Sequence, residues 1–523
     1  MTSDLSAPFL PISGYLEPLA DRQPALAGDA RADVAIVGGG LTGLSTALAL
    51  RRAGLDAVIL EREFCGYGAS GRNAGHLTPT IGKDLPTLLM MYGAQRTAAI
   101  VRFADHCVRR TEAVIGEYGI DCDYAPSGNV MAVVHPKQEK RLRRGAEVAA
   151  KVGAPVRFLE PDEMRGRGLP PAFLCGALEG AGGTLDPGKL VLGLRRAALA
   201  AGVRIHEDTR VVEVAPTPSP VVRTTRGSLR AERVVMASNA WTREIGAPGS
   251  RILPLYVTLF ETAPLSDAQL AALGGWSQRE GIYTAHEVLE SYRLTAQRTI
   301  VGGSKMPRYV WGGRPGDHGG PDTRSQSVVA RGFRDRFPAL ADLPIRHFWG
   351  GWIAMTLNFL PSFGALGSDG RLWHALGYNG HGVAQATAVG DILADAITGS
   401  DNEWLHVFRK PAPRLPPEPV PVAHRARPAG AVRRHRSHHR YPDPLRRTAL
   451  NPRRPGDKPR PHTPHAEGWP SWSMAPVLKT GSPQGLGGSN PSPSAFLFRH
   501  LHACRDHLGL PKHLLRPELL TDC

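Results

Sequence analysis

Asp33-Val-Ala-Ile-Val-Gly-Gly-Gly-Leu-Thr-Gly-Leu-Ser-Thr-Ala-Leu-Ala-Leu-Arg-Arg-Ala-Gly54, followed by Asp56-Ala-Val-Ile-Leu-Glu61, decides how the first part of the chain folds. The apolar run Val34 to Val37 reads as a buried parallel strand. Gly38-x-Gly40-x-x-Gly43 turns it into a helix, with Leu41, Leu44 and Leu48 at three- and four-residue spacing and Gly54 suited to a left-handed cap. A second apolar strand then delivers Glu61. Gly38 makes the tight turn, Gly40 lets backbone approach a pyrophosphate, and Gly43 lets the helix sit close to the sheet. The unpaired amides and positive end of the helix hold phosphate charge, while Glu61 accepts ribose hydroxyls and disfavours a 2′-phosphate. Because the triplet lies between strand and helix with an acid at the right offset, the stretch reads as a dinucleotide site rather than an ordinary strand–turn–helix.

Composition narrows the rest. A chain of 523 residues has room for two to four domains with large cores. Its cysteines (65, 107, 122, 175, 504 and 523) form no Cys-x-x-Cys pair and no metal-ligand spacing, which suits a reduced cytoplasmic protein without a metal. Met1 to Ala30 lacks a basic segment followed by an apolar core, so no signal peptide is expected, and no apolar run is long enough for a membrane span. The formal net charge of +16 invites a nucleic-acid reading. Most of that charge falls in residues 411–523, so the body is nearly neutral and nucleic acid is not the expected partner.

Beyond Glu61 the chain continues into a second glycine-rich loop, Arg62 to Leu77, then a helix over roughly Leu85 to Tyr118, a strand at Gly128–Val134 and a charged helix at Lys137–Val152. Asp186-Pro187 starts another helix, and Val203–His206, Val211–Val214, Val221–Leu229 and Arg233–Trp241 read as strands. Short β-runs at Tyr256–Phe260, Tyr292–Thr295 and Thr299–Gly303 predict a mostly antiparallel sheet. Strands return at Trp349–Ala354 and Leu372–Gly377, and Gly380-His-Gly-Val383 opens a helix to about Gly399. The expected fold is α/β (α+β overall): a Rossmann-type nucleotide domain with an inserted antiparallel-sheet substrate domain. The expected division is a lead segment 1–30, a discontinuous nucleotide domain over 31–85, 150–245 and 345–400, a substrate domain over 86–149 and 246–344, and a basic tail over 411–523.

Residues 31–400 resemble the FAD-dependent oxidoreductases of the D-amino-acid oxidase and sarcosine oxidase superfamily, in particular its gamma-glutamylputrescine oxidase-like branch. Four segments carry the resemblance: the fingerprint with Glu61, Gly68-Ala-Ser-Gly-Arg-Asn-Ala-Gly75, Val234-Val-Met-Ala-Ser-Asn-Ala-Trp-Thr242, and Gly377-Tyr-Asn-Gly-His-Gly-Val383. It implies a glutathione-reductase type of FAD-binding domain. Gly38, Gly40, Leu41, Thr42 and Gly43 would face the pyrophosphate, Glu61 the ribose and Arg62 the adenine. Ser70, Gly71, Arg72 and Asn73 would line the pyrophosphate and flavin side, with Arg72 also neutralising phosphate, and Val212 would contact adenine through its backbone. Gly380, His381, Gly382 and Val383 would begin a helix aimed at the flavin pyrimidine edge, where its N-terminus favours the negative charge of reduction. His76 and Cys65 do not match a covalent attachment motif closely, so non-covalent FAD is expected.

The resemblance also implies the chemistry. An uncharged amine or amino acid loses a hydride equivalent to flavin N5, the imine hydrolyses, and O2 or an electron carrier reoxidises the cofactor. Candidate catalytic residues are His381, Lys305 (for oxygen reduction) and Trp352 (as a pocket wall). Candidate substrate contacts are Tyr256, Tyr292, Arg293, Asn358 and Tyr378, with Arg293 suited to a carboxylate. Three have a plainer alternative: a loop hydrogen bond for His381, a core position for Trp352, a surface ion pair for Arg293.

Pro411 to His465 is rich in Pro, Arg and His and has no apolar periodicity, so it cannot build a core. Two readings stand. Arg433-Arg-His-Arg-Ser-His-His-Arg440 fits a polyanion-binding arm, with the flavin domain as a redox sensor. Alternatively, Ala475–Thr480 and Gly487–Ser492 read like a translated transfer-RNA gene appended by frameshift or read-through, and this is the reading we favour. In that case Cys504 and Cys523 carry no evolved role.

Overall fold

A computed structural model describes residues 4–215, 218–246, 249–286, 288–309, 315 and 320–415. The fingerprint strand, Gly28–Val37, is buried at its apolar end and lies between two parallel partners, Gly227–Met236 and Ala57–Leu60. Arg204–His206 extends the parallel order beyond Ala57–Leu60, and Leu372–Leu376 extends it beyond Gly227–Met236. An antiparallel edge strand, Ser362–Leu366, and the hairpin strands Val211–Ala215 and Val221–Thr224 complete eight strands. A nine-stranded sheet, mostly antiparallel, forms the second layer system; its parallel pair is Gly281–Thr284 with Asn129–Val133. The mixed α/β class expected from the sequence is the class observed.

Helices Leu41–Arg52, Pro187–Ala200 and Gly382–Thr398 bury their apolar faces against the first sheet, with Leu44, Leu48, Leu190, Val389 and Leu393 in one core. The long helix Leu85–Glu117 joins that same core through Phe103 and Cys107, and breaks at Gly93, whose φ is +72. It had been expected with the substrate half, because its amphipathic spacing names a buried face but not the layer that buries it.

Three strands differ in the same way from the expected division. Ile345–Met355 pairs antiparallel with Leu253–Thr262 in the second sheet, and Val156–Leu159 and Cys175–Glu179 pair there too. All three had been placed with the nucleotide half. A strand's alternation is the same whichever sheet it joins, and only distant partners fix its membership.

The chain ahead of the fingerprint is tied to the body: Leu10 N–H donates to Phe348 O at 2.7 Å, and Asp4 pairs with Arg334. At the other end, Ala412 is buried, Leu415 packs near Leu253 and Leu255, and Leu415 N–H donates to Ser250 O at 2.8 Å. Residues 411–415 therefore belong to the body rather than to the basic tail. The expectations for the tail itself, including Cys504 and Cys523, lie outside the described residues. Among the described residues no helix is long and apolar enough to cross a membrane, and no cluster of His, Cys, Asp or Glu is arranged to hold a metal.

Candidate active site

A cleft of about 1280 Å³, open mouth included, lies where the parallel strands end at Val37, Leu60 and Ala237. Open α/β sheets place ligands there, outside the carboxyl ends of their strands. Three groups of residues line it: Glu61, Arg62, Val211, Trp241, Glu244 and Ile245; then Gly38, Gly40, Leu41, Thr42, Ser70 and Asn73; then Ile353, Ala354, Tyr378, Gly380, Gly382 and Val383.

The glycines are required sterically. Gly38 has φ +112, and a Cβ there would lie 2.7 Å from Ala237 O. A Cβ at Gly40 would meet Ser70 Oγ at 2.7 Å, and one at Gly43 would meet Gly38 O at 1.9 Å. Gly40 is the N-cap and brings no side chain to the helix end, while Ser70 Oγ accepts from Leu41 N–H at 2.9 Å. The result is a glycine-lined cradle against a helix N-terminus, with the Ser70 hydroxyl as its polar edge, a form that fits a diphosphate.

Glu61 is fixed by two amides: Oε2 accepts from Gly39 at 2.7 Å and Oε1 from Glu63 at 3.0 Å. Burial raises its carboxyl above the usual carboxylate range, against the pull of those amides and of Arg62. The Arg62 guanidinium lies over the Trp241 ring, 5.4 Å from its centroid. In the third group, Tyr378 is buried with its hydroxyl 2.8 Å from Thr42 Oγ1. Gly380 has φ +81, and the helix beginning at Gly382 starts there. The His381 ring is not among the cleft-lining groups; its Nδ1 lies 3.2 Å from Asn379 O, Gly82 stands against it, and burial lowers its pKa.

Several expected residues stand elsewhere. Arg72 is buried with Nε, Nη1 and Nη2 donating to the carbonyls of Tyr67, Gly350 and Pro11 at 2.6, 3.1 and 2.9 Å, so it clamps backbone rather than phosphate. Gly71 is packed against Leu16 and Gly66. Val211 lines the cleft, and Val212, expected to contact adenine through its backbone, follows it on the same strand with its own surface 49 % exposed, as alternation along a strand requires. Lys305 is ion-paired to Glu290, which also accepts from Tyr292 Oη at 3.1 Å and Arg336 Nε at 3.0 Å. Lys305 and Tyr292 thus belong to a charge cluster of the second sheet, not to the cleft. Arg293 is buried beneath the glycine-rich loop and donates from Nε to Ala74 O at 2.9 Å, not a surface ion pair. Trp352 and Tyr256 stack edge-to-face at 5.1 Å within one small core, and Asn358 lies on a loop whose carbonyl accepts from Tyr92 Oη at 2.6 Å.

Sequence reasoning missed Trp241, Glu244, Ile245, Ile353 and Ala354 as cleft walls. Trp241 had a signal, since it closes the Ala-Ser-Asn-Ala-Trp segment. Ile353 and Ala354 had none, because their strand reaches the cleft from the other sheet.

A helix-capped, glycine-cradled cleft of this kind defines a dinucleotide-binding protein. The sequence profile of the family described as FAD dependent oxidoreductase matches residues 33–396, and the chain belongs to that family. FAD is accordingly its cofactor. The chain is 31% identical over 395 residues to gamma-glutamylputrescine oxidoreductase of Escherichia coli (strain K12), covering 74% of this chain and 88% of that one. Its fold matches the crystal structure of glycine oxidase from Geobacillus kaustophilus with a TM-score of 0.61 at 22% identity, over 71% of this chain and 96% of that one. L-proline dehydrogenase from P. horikoshii matches with the same TM-score and identity, over 73% and 98%.

Proposed function

We propose that the chain oxidises a primary or secondary amine, or an amino acid, at the carbon bearing nitrogen, with O2 as the final acceptor. The observation that carries this reading is the third group of cleft residues, in which Ile353, Ala354, Tyr378 and Val383 stand beside the start of the helix Gly382–Thr398. Apolar walls exclude water and favour the uncharged amine whose C–H bond can be oxidised. The helix N-terminus favours the negative charge that a cofactor gains there. Gly38, Gly40, Leu41, Thr42 and Gly43 would hold the diphosphate, Glu61 the ribose, Arg62 the adenine side, Ser70 and Asn73 the middle, and Gly380, Gly382 and Val383 the flavin edge. Bound FAD supplies the two-electron acceptor.

The balance is simple. The amine loses two electrons and two protons to become an imine, O2 takes them up as H2O2, and water converts the imine to a carbonyl compound and ammonia or a smaller amine. Non-covalent FAD belongs to the same reading, because Cys65 is fully buried beneath Gly39 and His76 Nδ1 is engaged by Asn129 Oδ1 at 3.0 Å. So does a cytoplasmic location. A second reading, a dehydrogenase passing electrons to a carrier, is favoured by the match to L-proline dehydrogenase. The test is anaerobic bleaching of the flavin absorbance by a panel of amines and amino acids, followed by H2O2 measurement with air as sole acceptor. Bleaching without steady H2O2 selects the dehydrogenase, and no bleaching by any amine rejects both.

A further inference from the structure

Asn379 stands in the turn between the strand Leu372–Leu376 and the helix Gly382–Thr398, and it is buried. Its φ is +54, a region that Asn and Gly enter far more readily than other residues. From that conformation Oδ1 accepts from Thr356 N at 2.9 Å, and Thr356 Oγ1, whose one hydrogen is also faced by Leu360 O at 2.8 Å, lies 3.2 Å away. Its own N–H donates to Ala354 O at 3.1 Å. Ala354 ends the strand Ile345–Met355 of the second sheet together with Met355, and Thr356 follows directly. One residue therefore stitches the strand-to-helix turn of the first sheet onto a strand end of the second.

The neighbouring geometry depends on that stitch. Asn239, with φ +43, accepts on Oδ1 from Gly377 N at 3.3 Å, so the end of Gly227–Met236 is bound into the same turn. Gly377 has φ +75, and a Cβ there would lie 2.6 Å from Thr356 Cγ2. Gly380 follows Asn379 directly, and a Cβ there would stand 3.6 Å from Ile353 Cδ1 across the cleft wall. Three strand ends from two sheets thus converge on Gly377–Gly380, immediately ahead of the helix N-terminus. The Nδ2 of Asn379 is buried without a hydrogen-bond partner among the described residues, so the position uses the acceptor and the left-handed backbone, not the donor.

We propose that Asn379 is a positioning residue that fixes the N-terminus of the helix Gly382–Thr398 against the cleft and thereby sets how firmly the flavin edge is held. This rests on the function proposed above only in placing that edge at Gly380–Val383. Asn379→Ala would strain the backbone as well as cut the tether, so Asn379→Gly and Asn379→Asp separate the two. Glycine keeps the left-handed conformation and loses the acceptor; aspartate keeps both.

The test compares both variants with the wild-type holoenzyme for FAD affinity, flavin midpoint potential and steady-state kinetics. Asn379→Gly is expected to bind FAD about tenfold more weakly, the weight of one hydrogen bond, with a lowered midpoint potential. Its kcat should fall about tenfold while KM stays within about threefold, since glycine keeps the backbone N–H bond to Ala354 O and the side chains of the wall are unchanged. Asn379→Asp should hold FAD within about threefold of wild type, because a carboxylate oxygen accepts the same bond from Thr356 N–H. Wild-type FAD affinity and kcat in Asn379→Gly would overturn the proposal, and so would Asn379→Asp binding FAD as weakly as Asn379→Gly. A wild-type chain that binds FAD but is bleached by no amine rejects the function proposed above, while the FAD affinities still decide this point.

Discussion

The hydroxyls of Tyr378 and Thr42 meet at 2.8 Å across 336 residues of sequence. Thr42 lies in the first turn of the fingerprint helix and Tyr378 just ahead of the helix beginning at Gly382. One buried hydrogen bond therefore links the two helix N-termini that face the cleft, and Ser45 Oγ donating to Ala386 O at 3.1 Å joins the same two helices one turn further on.

Thr42→Val should leave the Tyr378 hydroxyl buried and unpaired, costing about 1–3 kcal/mol of stability. Combining it with Tyr378→Phe removes both partners, so the double variant should lose less than the sum of the single losses. Urea denaturation of the four proteins measures this, and strict additivity would show that the pair is not coupled.

Gly40→Ala and Gly43→Ala should fail differently. The new Cβ at position 40 meets a side-chain hydroxyl that can move, Ser70 Oγ, whereas at position 43 it meets backbone, Gly38 O. The first variant should fold and bind FAD at least tenfold more weakly, roughly the loss of a close backbone approach. The second should melt well below wild type even without FAD. Equal melting temperatures for the two apoproteins would contradict this assignment.

Lys305→Ala tests whether that lysine serves stability or catalysis. Although burial acts to raise the Glu290 carboxyl, Lys305 and Arg336 outweigh it and hold its pKa below the usual range. A carboxyl with a lowered folded pKa stabilises the fold above its unfolded value of about 4.5, and that contribution disappears as pH falls through the folded value. Lys305 is partly exposed, so its removal should cost only about 1–2 kcal/mol at pH 7, and less at pH 3. Activity at pH 7 should stay within about twofold, as expected for a group outside the cleft. A selective loss of the oxygen half-reaction would return Lys305 to the catalytic site.

Glu179 predicts the opposite pH dependence. It is nearly buried on the strand Cys175–Glu179, and burial raises its carboxyl to about 7, with the neighbouring Tyr283 hydroxyl working against the shift. A folded pKa above the unfolded 4.5 means that the folded state binds the extra proton, so stability declines as pH rises between about 4.5 and 7. Glu179→Gln should therefore stabilise the protein by on the order of 2 kcal/mol at pH 8 and by little at pH 5. A gain of equal size at both pH values would sink the assignment.

What could be read ahead of the structure was whatever local backbone chemistry specifies. Gly38, Gly40 and Gly43 announce a cradle because each excludes a side chain for a nearby reason, and Glu61 sits at a fixed distance along the same unit. The start of the helix Gly382–Thr398 was legible for the same cause. The partners of Arg72 and Lys305 could not be read from the sequence because they come from far away: the carbonyls of Gly350 and Pro11 for one, Glu290 across a strand pair for the other. Residue type announces a charge; only the distant chain says what that charge meets. Ile353 and Ala354 escaped notice because a strand's pattern does not say which sheet it will join.

That last feature governs how the protein responds to cofactor supply. Since walls from both sheets close on one cleft, FAD bound there would bridge them, and its free concentration would become a stability variable. At a hundredfold excess over its Kd, a ligand that binds only the folded state adds about 2.7 kcal/mol. A cell short of riboflavin would thus hold a population of this enzyme that is easier to unfold and easier for proteases to clear, before any catalytic shortfall is felt.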